Sequence, residues 1–203
     1  MSLYPHKPSA GQRLQTNAPG VTVDEAFIAH LQVSAVKATA ADTNGVHAAV
    51  TDTGEEQVIE TGFTQPSVAR NITATAGGTA GDIKAVQVIV EGTNEAGEII
   101  TETLPAFTVN TAGSVAGSKA FKTVTSVTLP AHDGTGATTE IGFGEKLGLP
   151  SKLSHNTVLF AYLGNTKEGT APTVTVSAAA VEDNTVDLNS SLNGTAVDVY
   201  YLV

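Results

Sequence analysis

The sequence predicts an all-β chain, folded as antiparallel β-sandwich in one unit or two, behind an extended N-terminal arm. Three observations carry this prediction. Short runs alternate apolar and polar side chains with a period of two, which turns one face of a strand to a core and the other to water. Clusters of Gly, Asn, Asp and Pro separate these runs at intervals of about 8–12 residues, the spacing of hairpin-connected strands in sandwiches and barrels. No segment keeps a helical period over three turns, and only Val23 to Leu31 and a single turn at Glu145 to Leu149 are candidates for helix.

Residues 1–20 read as the arm. Pro5, Pro8 and Pro19 punctuate it and Gly11 and Gly20 loosen it. Proline lacks a backbone donor, so it interrupts helices and central strands alike. From about His30 the body, residues 21–203, begins with Leu31, Val33 and Ala35 opposed to Gln32, Ser34 and Val36. Val46, Ala48 and Val50 follow a turn signal at Asp42-Thr43-Asn44-Gly45, and Val58 and Ile59 follow Asp52-Thr53-Gly54. The β-branched runs Ile83 to Glu91 and Ile99 to Thr103 flank a loop of hairpin length, Gly92 to Gly97. Phe121 to Leu129 alternates strongly until Pro130 stops it. Asp133-Gly134-Thr135-Gly136 then turns the chain into a strand starting at Thr138. Val158 to Leu163, Thr173 to Ala178, Val186 to Leu188 and Val197 to Val203 complete the strands. The last is so apolar that it is expected inside a sheet, because an exposed edge of that kind would be adhesive. A middle β unit at about 66–153 with the flanking segments packed together fits the pattern, and so does a single body.

Composition narrows the function. Hydrophobic residues make up 41% of the 203, enough for a globular core, while charged residues are only 15%, so polarity comes from Thr, Ser, Asn and Gly. Ten basic against twenty acidic residues give a net charge of −10, which argues against nucleic acid and against an anionic membrane surface. No Cys is present, so disulfides and thiolate metal sites are excluded. Residues 1–20 lack the basic-then-apolar pattern of a secretory signal, and the expectation is synthesis in the cytoplasm of the cell that makes the protein.

Motifs for chemistry are sparse. The five histidines, His6, His30, His47, His132 and His155, share no ligand spacing, and neither a metal nor any other cofactor is expected. Asp42-Thr43-Asn44-Gly45 begins like a calcium loop but lacks the later glutamate. Gly113-Ser114-Val115-Ala116-Gly117 sets its serine one place early for a nucleophile elbow and reads as a loop. His132-Asp133, in a Gly-rich turn, reads as turn rather than as half of a triad. Gly77-Gly78-Thr79-Ala80-Gly81 lacks the lysine of a phosphate loop. Six Phe and four Tyr are spread thinly, with no aromatic stripe for sugar or single-stranded nucleic acid. No catalytic residue is assigned, and the chain is not expected to be an enzyme.

Several segments together resemble a family of virion structural proteins of tailed phages and prophages. These are Arg70-Asn71-Ile72-Thr73, Ile83 to Glu91, Gly92-Thr93-Asn94, Ile100 to Thr103, Gly117 to Val124, Gly142 to Pro150, Ala171 to Val176 and Asp187 to Ser190. The resemblance covers roughly residues 66–203, and Lys119 to Val124 and Gly142 to Pro150 are its most distinctive parts. It implies a place in the particle and no particular mechanism.

The resulting expectation is a non-enzymatic capsid decoration or cement protein, located in the virion head and bound to the major capsid protein. A homo-oligomer, a trimer, is expected because lattice-binding proteins favour local symmetry axes. The interface candidates are Leu3, Tyr4, Pro5 and Leu14 in the arm and Tyr200, Tyr201 and Leu202 in the last strand. The alternative is a tail, baseplate or head-fibre component that binds the host surface, which clustered exposed aromatics would favour.

Overall fold

The computed structural model describes residues 26–203, together with the backbone of two short strands, Arg13–Gln15 (β1) and Thr22–Asp24 (β2). These two pair antiparallel with each other and, among the described strands, with no other. The remainder of the expected arm lies outside the described residues.

The body is nearly all strand. Ile28–Val33 (β3) occupies part of the segment considered for helix, because the alternation from Ile28 onward has period two. Asp42–Thr51 (β4) takes in Asp42-Thr43-Asn44-Gly45, which is therefore strand and not a connecting turn. Asp42 Oδ1 accepts the Asn44 N–H at 3.1 Å, and the register against the neighbouring strand shifts twice here, so the turn residues are absorbed as a bulge. Gln57–Ile59 (β5) follows Gly54, whose φ of 81° and whose N–H bond to Asp52 Oδ2 make the expected turn. Arg70–Gly78 (β6) leads through a short 3-10 turn at Ala80–Asp82 to Ile89–Thr93 (β7), so the β-branched run from Ile83 enters a sheet only at its end. Ile99–Thr103 (β8) closes the expected hairpin. Gly113–Phe121 (β9) is a strand where a loop was expected; it pairs with β6, and at Gly117 the missing side chain leaves room for Glu102 of β8. Thr123–Leu129 (β10) and Ala137–Gly148 (β11) follow, and β11 continues through Glu145 to Gly148, overturning the helical turn. Val158–Leu163 (β12), Thr166–Lys167 (β13), Thr173–Thr175 (β14), Thr185–Asp187 (β15) and Val197–Leu202 (β16) end the chain.

Three antiparallel sheets make two cores. One sheet has the order β5-β10-β7-β8, the second β14-β15-β11-β6-β9 with β4 also paired to β11, and the third β13-β12-β16-β3. The first core joins Ile72, Ala74 and Ile141 of the six-stranded sheet to Val90, Ile100, Val124 and Val127 of the first. The second joins Leu147 and Val186 to Val33, Ala161, Val197, Val199 and Tyr201 of the third. Strand β11 is common to both: its early residues serve the first core and Leu147 serves the second. Segments near the two ends of the chain thus share a core, since β3 pairs with β16 over six residues.

Buried polar groups fasten the junction. Arg70 is fully buried, donates from Nε to Gly144 O at 2.8 Å and from Nη1 to Thr39 O at 2.8 Å, and lies 4.5 Å over the Phe143 ring. Burial lowers its pKa to about 10, opposed by Glu145. Asn71 donates to Gly117 O and accepts the Lys146 N–H, linking β9 to β11 across β6. Glu102 accepts the Ser118 N–H at 2.6 Å and its hydroxyl at 2.9 Å, fastening β8 to β9. Among the described residues these groups make their hydrogen bonds within the protein, except Arg70 Nη2, which is buried without a hydrogen-bond partner.

Candidate functional site

The outer face of the third sheet gathers four aromatic side chains, His30 and Phe160 exposed and Tyr162 and Tyr200 half-buried. Strand β16 alternates, with Val197, Val199 and Tyr201 buried and Asp198, Tyr200 and Leu202 turned outward. Antiparallel register sets His30 of β3 opposite Tyr200, and Ile28 opposite Leu202. On the other side of β16, Phe160 of β12 stands opposite Tyr200 and Tyr162 opposite Asp198. Lys167 of β13 is paired with Tyr162. The period of two thus brings onto one surface residues far apart in the chain, Tyr200 beside His30 and Leu202 beside Ile28.

The contacts within this surface are specific. His30 stacks on Tyr200 with ring centroids 4.4 Å apart and planes 4° from parallel. Its Nε2 lies 2.7 Å from Asp198 Oδ1. Phe160 and Tyr162 approach Tyr200 edge-on, at 6.3 and 6.2 Å with interplanar angles of 61° and 86°. The Lys167 ammonium lies 5.2 Å over the Phe160 ring. Between these groups opens a cavity of about 350 Å³ lined by Phe160, Tyr162, Asn165, Asp198 and Tyr200. Asn165 is held with φ at 65° in the loop between β12 and β13, a left-handed conformation that Asn adopts more readily than most residues.

The sequence-derived interface residues divide. Tyr200 and Leu202 lie on this outer face. Tyr201 points into the second core, is 1% exposed and has its hydroxyl 3.3 Å from Ser151 Oγ, so in the folded chain it offers no surface. Leu14 lies on β1 in register with Val23. Leu3, Tyr4 and Pro5 lie outside the described residues. His30, Phe160, Tyr162, Asp198 and Asn165 were not among the candidates, and the aromatic residues are not spread thinly in space. The alternate positions Phe160/Tyr162 and Asp198/Tyr200 on two apolar strands were the available signal.

A second cluster surrounds His132 and does not assemble a nucleophile. Asp52 Oδ1 accepts the backbone N–H of His132 at 3.0 Å and does not contact its ring. The ring Nδ1 accepts the Lys84 N–H at 3.2 Å, so the neutral ring carries its proton on Nε2 and donates it to Thr139 Oγ1, also at 3.2 Å. A general base would have to accept from that hydroxyl. Burial lowers the His132 pKa, against the raising influence of Asp52 and Asp133. Ser114 lies on β9, paired with Thr75 through a 2.7 Å hydroxyl contact. Among the described residues no three His, Asp or Glu side chains converge as a metal site requires.

Comparison of the chain with protein-family models, with curated proteins and with solved structures found no match in any of the three. These comparisons leave the expected resemblance to virion proteins untested, and the functional reading is argued from the geometry of the chain itself.

Proposed function

We propose that this chain is a non-enzymatic structural component of a tailed-phage particle, a decoration protein that fastens to the head shell and stabilises it. The observation that carries this reading is the apolar margin of the third sheet. Phe27 is 52% exposed and Ile28 68%, Val203 is exposed beside them, and Leu202 opposes Ile28 across the ladder. Phe27 and Val203 exchange two 2.9 Å backbone hydrogen bonds, which tie the two segments together at this margin. Apolar side chains fixed on a rigid, lightly charged scaffold are suited to an interface that excludes water. Strand β3 pairs on one side only among the described strands, which leaves an edge for strand addition. The β1–β2 hairpin precedes this margin in the chain, and a two-stranded hairpin alone is at best marginally stable, so a capsid surface that packs against it would stabilise both. Burial at capsomer junctions adds binding free energy to the closed shell. A trimer would match a local threefold axis.

Purified protein mixed with empty mature capsids or with tails, then pelleted, tests the reading. Full-length protein is expected to saturate capsids at a stoichiometry set by the lattice. A chain lacking residues 1–20, and Ile28→Asp, are expected to stay in the supernatant. Protein that ignores capsids and follows tails or host cells would overturn the decoration reading. That result would favour the second one, a host-binding component of tail, baseplate or head fibre. The clustering of His30, Phe160, Tyr162 and Tyr200 on one face is the observation in its favour.

A further inference from the structure

We infer that the cavity between Phe160, Tyr162, Asn165, Asp198 and Tyr200 is a binding site for a neutral saccharide. The inference is independent of where in a particle the protein sits.

A pyranose ring has an apolar face of C–H groups and a rim of hydroxyls that both donate and accept. Its recognition calls for an aromatic surface for the first and fixed polar groups for the second. Both are present here on a rigid sheet. Phe160, Tyr162 and Tyr200 form the aromatic walls, set across one another and not stacked shut, so that ring surface remains open to the cavity. Tyrosine adds a hydroxyl to an apolar body, which suits a ligand with both characters. His30 lies flat against Tyr200 from outside the cavity and fixes that ring.

The polar groups are placed as the rim requires. Asp198 Oδ1 lies 2.7 Å from His30 Nε2 and can accept its N–H, while Oδ2 has no hydrogen-bond partner among the described residues. A carboxylate oriented in this way can accept from a sugar hydroxyl, and the His30 contact holds its rotamer. Asn165 offers an amide that donates and accepts, at the end of the cavity where the chain turns into β13. The volume, about 350 Å³, lies at the small end of the range for small-molecule sites and suits one or two sugar rings.

Charge selects among saccharides. The cavity holds the Asp198 carboxylate, and the chain carries a net charge of −10, so acidic sugars are disfavoured. Lys167 is the nearby cation, and it lies over Phe160. A planar base or a peptide aromatic could also use the rings, but neither presents the array of hydroxyls that Asp198 and Asn165 face.

Isothermal titration calorimetry of the full chain with maltotriose, cellotriose, lactose and chitobiose, and with sialyllactose as the acidic comparator, tests the site. At least one neutral probe is expected to bind saturably, and more tightly than sialyllactose. Tyr162→Ala is expected to weaken that binding about tenfold or more, the effect of losing one stacked ring. Asn165→Gly keeps the left-handed backbone and removes only the amide, so it controls for folding, and it too is expected to weaken binding. Ile28→Asp is expected to bind sugar as the wild type does while losing capsids, which separates this site from the docking margin. Absence of binding by every neutral probe, preference for sialyllactose, or wild-type affinity in both Tyr162→Ala and Asn165→Gly would overturn the inference.

Discussion

Replacing Asn184 by Leu should cost this protein about 3–5 kcal/mol, although Leu has a similar size and the site is fully buried. Asn184 has 0% of its surface exposed. Its Oδ1 accepts from the N–H groups of Leu153 at 3.1 Å and Ser177 at 2.9 Å. Its Nδ2 donates to the carbonyls of Ser177 at 2.9 Å and Ala180 at 2.7 Å. One side chain therefore satisfies four backbone groups, one in the connection between β11 and β12 and three in the connection between β14 and β15. Each group left unpaired in the interior costs about 1–3 kcal/mol, and the part of this shell nearer the surface can recruit water, so the lower half of the summed range applies. The gain from a larger apolar side chain, about 1–2 kcal/mol at most, does not offset this. Urea unfolding followed by near-ultraviolet circular dichroism is the assay. The protein has no Trp, and Tyr162, Tyr200 and Tyr201 all lie on the third sheet, so the tyrosine signal reports the second core. With an m value of about 2–3 kcal/mol/M, the midpoint should fall by about 1.5 M. Asn184→Asp should be as damaging at neutral pH, because an oxygen then faces the carbonyls of Ser177 and Ala180, and should recover in part at acid pH. A loss below about 1 kcal/mol in Asn184→Leu would refute the reasoning, since the four hydrogen bonds would then be dispensable.

Three further outcomes rest on burial and local space. His132 has a folded-state pKa below its unfolded value of about 6.5, so the unfolded chain binds more protons. Its contribution is therefore intact above that value and lost as pH falls through the window below it, by at most about 1.4 kcal/mol per pH unit; the stability profile of His132→Gln between pH 7.5 and 5 should be correspondingly flatter than that of the wild type. At Gly92 an added Cβ would stand 1.9 Å from Thr123 O, a backbone atom of the paired strand, so Gly92→Ala should lower stability by about 3 kcal/mol or more. Gly81→Ala, where an added Cβ meets nothing within 4 Å, should leave the thermal midpoint within a degree or two of wild type.

The local pattern of the chain carried its fold class and most of its strand positions. Val158–Leu163 occupies the bounds read from its apolar run, and Thr123–Leu129 ends at Pro130 as proline's missing donor requires. Period-two alternation is a property of neighbouring residues, so it survives without knowledge of partners. The elements missed were those whose pattern is set by a distant contact. Strand β9 looks like loop because its Gly and Ala are matched to close neighbours: an added Cβ on Gly117 would meet Glu102. Asp42-Thr43-Asn44-Gly45 has turn chemistry, yet β11 draws it into a bulged strand in which Gly45 leaves room for the Phe143 ring.

The aromatic face was beyond local pattern for the same reason. That Tyr200 points outward and Tyr201 inward follows from alternation once β16 is known to lie between β12 and β3, but its partners do not. The sequence by itself determined that the chain is built of short strands with a lightly charged, Thr-rich composition and no thiol chemistry, because these depend on composition and on spacing within a few residues. Only the tertiary structure decided that His30, Phe160, Tyr162, Asp198 and Tyr200 share one surface. Pairing register between distant strands is fixed by the packing of two whole cores, and no short stretch of sequence contains that information.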